Sequence, residues 1–196
     1  MCGIAGHLSF SSRATPLDLS ALRHRGPDAS GEWRSADGRV WLGHTRLAIL
    51  DLSDSGAQPM VHPATGDVIV YNGETYNHLA LRRELEEAGE HFVGTSDTET
   101  ILAGFARWGP AVFAKMSGMF ALAIHSPSRS TTFLARGRFG IKPLYLRHSP
   151  GESLAFCSEV RPLTAQGGLR ATLESVAHFL QRGCCPHAHI LATGIA

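Results

Sequence analysis

The chain begins Met1-Cys2-Gly3-Ile4-Ala5-Gly6-His7-Leu8-Ser9-Phe10, an apolar stretch that predicts a buried β-strand with a cysteine at its start. Once Met1 is removed, Cys2 carries a nucleophile and a base on one residue, its thiol and its α-amine. A free thiol has a pKa of about 8.5 and a free α-amine one of about 7.7 to 8.0, so near neutral pH the amine can accept the thiol proton. An idle thiol is the simpler interpretation of this stretch taken alone, and the rest of the chain has to decide between the two.

The remaining sequence predicts an α+β domain with many short strands in hairpins and with helices grouped in the middle and at the end. Asp37-Gly38 predicts the turn of a hairpin between strands at 31–34 and 39–48. Met119–Ile124 is apolar on both alternating faces, which predicts a central strand covered on both sides. A strand over Asp67–Tyr71 is predicted to be interrupted by Asn72-Gly73-Glu74. Further predictions are strands at 131–135, 143–146 and 154–157, a long loop at 50–63, and helices at 78–88, 97–108 and 173–180 with Asn77 and Ser96 as N-caps.

Composition and charge narrow the class of function. The 196 residues are 43% hydrophobic and 18% charged, which suits one domain with a sizeable core, or one domain and a tail. The net charge of +1 gives no reason to expect nucleic acid or an anionic membrane as a partner. No apolar run approaches the roughly 18 residues of a membrane span, and no secretory signal is visible. Four cysteines are too few for a dense disulfide framework, so a reducing cytoplasm is expected.

Downstream residues have the chemistry that a cysteine attacking an amide would need. The oxyanion formed at the carbonyl requires fixed N–H donors, for which Asn72 and Gly73 are candidates. An amino-acid substrate needs a cation for its carboxylate, which Arg46 can supply, and anions for its ammonium, for which Glu74 and Asp97 are candidates. Each has an ordinary alternative: Asn72-Gly73 as a hairpin turn, Arg46 as a surface cation, and Asp97 as a carboxylate favoured by the start of a helix. The residues alone leave these alternatives open.

A set of segments in fixed order carries a family resemblance. They are Met1-Cys2-Gly3-Ile4-Ala5-Gly6, His24-Arg25-Gly26-Pro27-Asp28, Gly43-His44-Thr45-Arg46-Leu47-Ala48-Ile49-Leu50-Asp51 leading to Gln58-Pro59-Met60, Tyr71-Asn72-Gly73-Glu74-Thr75-Tyr76-Asn77, Ser96-Asp97-Thr98-Glu99, Gly118-Met119-Phe120-Ala121, Arg138-Phe139-Gly140-Ile141-Lys142-Pro143-Leu144-Tyr145, and Phe156-Cys157-Ser158-Glu159. Together they resemble the glutaminase domain of the asparagine synthetase family, the class II glutamine amidotransferases, which belong to the N-terminal nucleophile hydrolases. The resemblance covers the chain from Cys2 to about Leu163.

The resemblance implies an αββα sandwich of two antiparallel sheets between helices, and a role for each matching position. Cys2 is the nucleophile, Asn72 and Gly73 form the oxyanion hole, Arg46, Glu74 and Asp97 fix the α-carboxylate and α-amine of glutamine, and backbone groups of Leu47, Ile49 and Leu50 line the pocket. The implied reaction hydrolyses glutamine to glutamate and ammonia through a Cys2 thioester, with the α-amine of Cys2 as base. One departure is Ala135-Arg136-Gly137-Arg138, where the family usually has Asp at the position of Gly137.

The resemblance also implies a partner for the ammonia. Residues 1–165 are expected to form the glutaminase domain, and residues 166–196 a helix and linker leading towards a synthetase domain absent from this chain. That domain would bind ATP and Mg²⁺ and amidate a carboxylate, by default aspartate to asparagine. No cofactor is expected within residues 1–165. The Ser-Gly-Gly-x-Asp-Ser loop of the synthetase domain does not occur in the sequence, and Gly167-Gly168 lacks its flanking residues. A fragment of a longer synthetase is expected rather than a separate subunit.

Two other functional hypotheses and one metal motif stay open at this point. The chain could be a catalytically idle domain that packs against a partner synthetase, or a hydrolase of a different amide. Cys184-Cys185-Pro186-His187-Ala188-His189 contains four metal-ligating side chains, but adjacent cysteines do not match zinc spacings, so no metal is expected. An oligomer is possible, and its size is open.

Overall fold

The computed structural model describes residues 1–165, 171 and 173–183, which form two antiparallel sheets flanked by helices. The first sheet has five strands in the order β2-β3-β1-β9-β8, and the second has four in the order β4-β5-β6-β7. The strands are β1 Gly3–Ser9, β2 Ala29–Arg34, β3 Val40–Arg46, β4 Met60–Val61, β5 Val68–Thr75, β6 Gly118–Ser126, β7 Thr131–Arg136, β8 Tyr145–Ser149 and β9 Ser153–Cys157. The helices are α1 His78–Glu87, α2 Asp97–Trp108, α3 Val112–Lys115, α4 Val160–Thr164 and α5 Leu173–Arg182.

Alternation along the strands divides the apolar side chains among three layers, because successive residues of a strand point to opposite faces. The layer between the sheets contains Ile4, Val40, Leu42, Val68, Val70, Ala121, Ala123 and Phe156. The outer face of the first sheet packs Ala5, Trp41, Ala155 and Cys157 against Leu22 and, from α4, Leu163. The outer face of the second sheet packs Ile69, Leu122 and Ile124 against Ile101, Leu102 and Phe105 of α2. Helix, sheet, sheet and helix therefore stack in that order, which confirms the predicted αββα class.

Two sequence predictions about the sheets are confirmed. β6 is a central strand that pairs with β5 on one side and β7 on the other, and its residues from Phe120 to Ser126 are buried. The hairpin around Asp37-Gly38 pairs β2 with β3, and Gly38 has the positive φ of 73° that such a turn requires. β3 ends at Arg46 rather than at residue 48.

The predicted interruption of a strand at Asn72-Gly73-Glu74 is wrong. β5 runs without a break from Val68 to Thr75, and Asn72 pairs with Ala121 of β6. The pairing continues because two glycines permit a close approach of the strands. A Cβ on Gly73 would lie 2.4 Å from the carbonyl oxygen of Met119, and one on Gly118 would lie 2.1 Å from that of Glu74. The same pairing excludes the hairpin-turn alternative for Asn72-Gly73.

Smaller corrections concern loops and helix caps. The loop predicted over residues 50–63 contains the short strand β4. Asn77 precedes α1 but makes no capping hydrogen bond, because its amide instead donates to Lys115 O at 2.9 Å and accepts from Ser117 N at 2.9 Å. Ser96 does cap α2, accepting the Glu99 N–H at 3.2 Å. α3 and α4 are absent from the sequence prediction, β8 begins two residues later than the strand predicted at 143, and α5 extends the predicted 173–180 helix to Arg182.

Candidate functional site

One pocket collects all of the residues that the sequence analysis proposed for the site. It lies where β1 begins, where β3 ends and where β5 passes from the sheet core towards α1. Its volume of about 180 Å³ is below the roughly 300–1,000 Å³ of sites for drug-sized molecules, so it suits a ligand as small as an amino acid. The predicted residues that line it are Cys2, Arg46, Leu47, Ile49, Leu50, Asn72, Gly73, Glu74 and Asp97.

Cys2 lies at the start of β1 against the backbone that follows β3. Gly3 pairs with Thr45 in antiparallel register, so the residue before Gly3 lies beside the residues after Thr45. The Leu47 N–H donates to Cys2 Sγ at 3.4 Å, and Sγ lies 3.6 Å from the Leu47 carbonyl oxygen. The Cys2 carbonyl accepts Nε of Arg25 at 3.1 Å. The thiol is therefore held at the pocket wall, next to an N–H that can stabilise a thiolate.

Asn72 presents an unused donor to the layer between the sheets. It shares the inner face of β5 with Val68 and Val70, and Ile4 and Cys2 share the corresponding face of the N-terminal segment. The Asn72 side chain is 1% exposed, and its Nδ2 has no hydrogen-bond partner within the described residues. A buried amide without a partner costs free energy, which a ligand oxygen in the pocket would recover.

A second donor comes from the backbone of Gly73. In a strand, alternate N–H groups point to the same edge. The Tyr71 N–H points to the edge away from β6, where it donates to Gln58 Oε1 at 2.6 Å, and the Thr75 N–H donates to Asp97 Oδ2 at 2.9 Å on that edge. The Gly73 N–H lies between these two on the same edge, at the wall of the pocket. Asn72 Nδ2 and Gly73 N can thus converge on one oxygen.

Arg46 lies at the end of β3 and is 9% exposed. Its Nη2 donates to the Asp51 carbonyl oxygen at 2.5 Å, which orients the guanidinium across the loop after β3. Gly56 makes room for it, because a Cβ there would lie 2.4 Å from Arg46 Nη2. Nε and Nη1 make no hydrogen bond within residues 1–165. They are the donors that a ligand carboxylate in the pocket could accept.

Two carboxylates also line the pocket. Asp97, in the first turn of α2, is 4% exposed, and its Oδ2 accepts the Tyr71 hydroxyl at 2.7 Å as well as the Thr75 N–H. Oδ1 has no hydrogen bond within the described part of the chain and is available to a ligand cation. Glu74 is exposed at the pocket rim. The arrangement can hold a zwitterion, with its carboxylate at Arg46 and its ammonium near Asp97 and Glu74.

Several residues that line the pocket were not predicted from the sequence as site residues. Gln58 bridges two walls, because its Oε1 accepts the Tyr71 N–H and its Nε2 donates to Thr98 Oγ1 at 3.1 Å. Asp51 and Lys142 also line the pocket. The partners of Gln58 lie 13 and 40 residues away in the chain, so no local pattern indicates these contacts. Asp51, Gln58 and Lys142 all occur in the segments that carry the family resemblance, and this is the one signal in the sequence that could have indicated them.

Other candidate sites receive no support from the described residues. Cys157 is fully buried, and burial raises its pKa to about 11, which makes it unreactive. No group of three or more His, Cys, Asp or Glu side chains in 1–165, 171 and 173–183 is arranged to hold a metal ion. Gly167-Gly168 and the Cys184–His189 motif lie outside the described residues. No helix of the described chain is both long and apolar enough to cross a bilayer.

The chain belongs to the family of glutamine amidotransferase domains, whose model matches residues 1–196. Its fold is that of the N-terminal nucleophile hydrolases. It resembles the solved structure of the glutamine phosphoribosylpyrophosphate amidotransferase of Bacillus subtilis, with a TM-score of 0.57 and 18% sequence identity over 82% of this chain and 36% of that one.

Among curated proteins the chain is similar to glutamine-hydrolysing asparagine synthetases. It is 36% identical to asparagine synthetase 3 of Bacillus subtilis over 89% of this chain, and 37% identical to asparagine synthetase B of Escherichia coli over 83% of this chain. A putative asparagine synthetase of Mycobacterium tuberculosis is 44% identical over 66% of this chain. The chain spans 29%, 30% and 21% of the length of these three relatives, respectively.

Proposed function

We propose that the chain hydrolyses glutamine to glutamate and ammonia, with Cys2 as the nucleophile after removal of Met1. The observation that carries the proposal is that Asn72, 1% exposed, lines the same pocket as Cys2 and has an Nδ2 without a hydrogen-bond partner in the described part of the chain. Before the substrate binds, an oxyanion hole requires a hydrogen-bond donor that has no partner and lies in the same pocket as the nucleophile. The Gly73 N–H on the adjacent edge would supply the second donor.

The chemistry follows from these positions. The α-amine of Cys2 accepts the thiol proton, and the thiolate attacks the γ-amide carbon of glutamine. Asn72 Nδ2 and Gly73 N hold the negative charge that develops on the oxygen. The C–N bond breaks as the protonated amine returns its proton to the leaving nitrogen, so that ammonia leaves and a glutamyl thioester remains. Water then hydrolyses the thioester to glutamate and restores the thiol, which divides one difficult cleavage into two easier steps.

The charged residues of the pocket favour glutamine over a simple amide. Arg46 would bind the α-carboxylate through its free donors, while Asp97 Oδ1 and Glu74 would bind the α-ammonium. Backbone groups of Leu47, Ile49 and Leu50 would line the side of the pocket between these charges. Because an unpaired buried charge is costly, a substrate lacking either group should bind much more weakly.

We further propose that the ammonia is used by an asparagine-synthetase-type domain, with aspartate as the default acceptor. The support is the similarity to the three synthetases named above, of whose length this chain spans less than a third. ATP and Mg²⁺ would act in that domain and not in this pocket. On this proposal residues 1–165 are the amidotransferase domain, and residues 166–196 lead towards the synthetase. Because the reaction needs a free thiol, a reducing cytoplasm is the proposed location.

The test is hydrolysis of glutamine by the chain without ATP, with Met1 removal verified by mass. We expect glutamate and ammonia in equal amounts from the wild type and no detectable turnover from Cys2→Ala. Cys157→Ala, which changes a buried core thiol, is the matched control and should retain turnover. Undiminished hydrolysis by Cys2→Ala would overturn the mechanism.

The same assay decides the two other hypotheses. A wild-type chain that lacks Met1 and binds glutamine but releases no ammonia would indicate an idle domain. Faster turnover of asparagine or of N-acylated amides than of glutamine would indicate a different amide as substrate. Neither outcome is expected, because Arg46 and Asp97 both line the pocket and each keeps a polar atom without a partner in the described chain.

A further inference from the structure

Lys142 is a buried cation that lies beside the N-terminal residues Met1 and Cys2 in the folded chain. Its side chain is 4% exposed and lines the pocket together with Met1 and Cys2. The lysine takes no part in the oxyanion hole or in the binding of a zwitterion described above. A buried ammonium is costly unless a negative or polar group compensates it, so its position requires an explanation.

The segment that carries Lys142 is fixed in place. Arg136, the last residue of β7, donates through Nε to the Lys142 carbonyl oxygen at 2.8 Å and through Nη2 to the Gly140 carbonyl oxygen at 2.5 Å. Gly140, with φ of 62°, turns the chain and donates its N–H to Gly137 O at 2.8 Å. The backbone of Lys142 is therefore held at the pocket, where the residue is 4% exposed.

The contact of the ammonium changes when Met1 is removed. Nζ donates to Met1 Sδ at 2.6 Å, which is its one hydrogen bond within the described residues. Loss of Met1 removes that acceptor and leaves Nζ beside the new N-terminal residue, Cys2. The charged groups that face Lys142 are Arg25, Glu74 and Cys2 itself. Burial and then Arg25 lower the pKa of Lys142, whereas Glu74 and a Cys2 thiolate favour its ammonium form.

We infer that Lys142 is a positioning residue that stabilises the Cys2 thiolate electrostatically once Met1 is absent. The same positive charge disfavours a second one on the Cys2 α-amine, so more of the amine is free to act as base. Arg25 contributes less to this field, because Nη1 forms an ion pair with Glu159 at 2.9 Å. This inference rests on the proposed function for its purpose, but the ionisation of the thiol can be measured without glutamine.

The experiment measures the rate of Cys2 alkylation by iodoacetamide against pH, in chains shown by mass to lack Met1. Lys142→Met removes the charge at similar length, and Lys142→Arg keeps it. A nearby positive charge favours the thiolate, so Lys142→Met should raise the thiol pKa, and a shift of about one unit is typical of such a charge pair. Alkylation at pH 7 should then fall about tenfold, since the thiolate is the reactive form. Lys142→Arg should stay close to the wild type.

Lys115→Met is the matched control, because it removes a cation that pairs with Glu84 away from the pocket. Its profile should coincide with that of the wild type. Coincident profiles for Lys142→Met and the wild type would overturn the inference, and so would equal shifts in Lys142→Met and Lys142→Arg. If Lys142→Met does not fold, Lys142→Gln replaces it under the same criteria. Peptide mapping confines the readout to Cys2. A wild type that shows the expected thiol pKa but no glutamine turnover would count against the proposed function alone.

Discussion

The Asp51 carboxylate accepts the Thr95 backbone N–H through Oδ2 at 2.9 Å, which ties the loop after β3 to the segment that starts α2. The same carboxylate accepts Ser53 N at 2.9 Å and the Ser55 hydroxyl at 2.9 Å. Arg46 donates to the Asp51 carbonyl oxygen, and Asp97 follows Thr95 by two residues, so both pocket residues adjoin this connection. The distance between the cation and the anion that would bind glutamine is therefore set in part by Asp51.

Asp51→Asn should weaken glutamine binding more than it slows the reaction. The substitution removes charge-assisted hydrogen bonds worth about 1.5–3 kcal/mol each and places an NH₂ against N–H donors. We expect KM for glutamine to rise about tenfold and kcat to change less than about threefold, as measured by steady-state ammonia release. Asp54→Asn, an exposed carboxylate of the same loop, is the control and should leave both constants unchanged. A KM equal to that of the wild type would show that Asp51 does not position the loop.

The stability contributed by Asp51 should depend on pH. Hydrogen bonds from Ser53, Thr95 and Ser55 hold the pKa of this carboxyl well below its usual range. A lowered folded-state pKa gives stability that is complete above the unfolded value of about 3.9 and is lost as the pH falls below it. Urea unfolding should therefore show a difference between wild type and Asp51→Asn at pH 7 that shrinks at pH 3. A difference that grows on acidification would contradict this assignment.

Asn72→Ala should separate activity from stability. The loss of one oxyanion donor lowers kcat by about 10²–10³ with little change in KM. Because Nδ2 has no partner in the described chain, its removal should not lower the free energy of unfolding by more than about 1 kcal/mol. Asn77→Ala should have the opposite effect, a loss of stability without a loss of activity. It loses hydrogen bonds to Lys115 and Ser117 and should cost about 1–2 kcal/mol while keeping kcat. Equal kcat values for the two variants would argue against Asn72 as an oxyanion donor.

Gly73→Ala should disrupt β5 at the pocket. The new Cβ would lie 2.4 Å from the Met119 carbonyl oxygen and 2.7 Å from Phe120 Cα, so the strands must separate. We expect a loss of roughly 1–3 kcal/mol in thermal or urea unfolding and a fall in kcat of more than about 100-fold. Gly137→Ala, whose Cβ would meet its nearest atom at 3.3 Å, is the control and should cost about 1 kcal/mol or less. Gly73→Ala keeps the backbone N–H but displaces it, so full activity would show that the position of this N–H does not matter to the reaction.

The fold was largely predictable because its strands carry strong periodic patterns. The doubly apolar run from Met119 to Ile124 indicates a covered central strand, and Asp37-Gly38 indicates a hairpin. The interruption predicted at Asn72-Gly73-Glu74 is wrong, because the turn preference of a short segment takes no account of the strand with which that segment pairs. Gly118, far along the chain, is what lets β5 continue through Gly73. Asn77 likewise prefers contacts with Lys115 and Ser117 over a local cap.

The site was predictable in part. The residues whose chemistry matches a zwitterionic amide were found from the sequence and its resemblance, and they line one pocket. Asp51 and Gln58 were missed because their effect is to hold other parts of the pocket, through bonds to Thr95 and Tyr71. Lys142 was missed because its burial beside Met1 depends on Arg136 holding its backbone. Such contacts arise from tertiary packing and leave no local pattern.

The central claim is that Cys2 acts as an N-terminal nucleophile on glutamine. The most direct measurement is peptide mass spectrometry of the active chain after incubation with a glutamine analogue that carries a chloroketone in place of the amide. We expect a covalent label on a Cys2 that has lost Met1, formed in proportion to the loss of ammonia release and prevented by glutamine. Full hydrolysis by chains that retain Met1, or a glutamine-protected label on a residue other than Cys2, would contradict it.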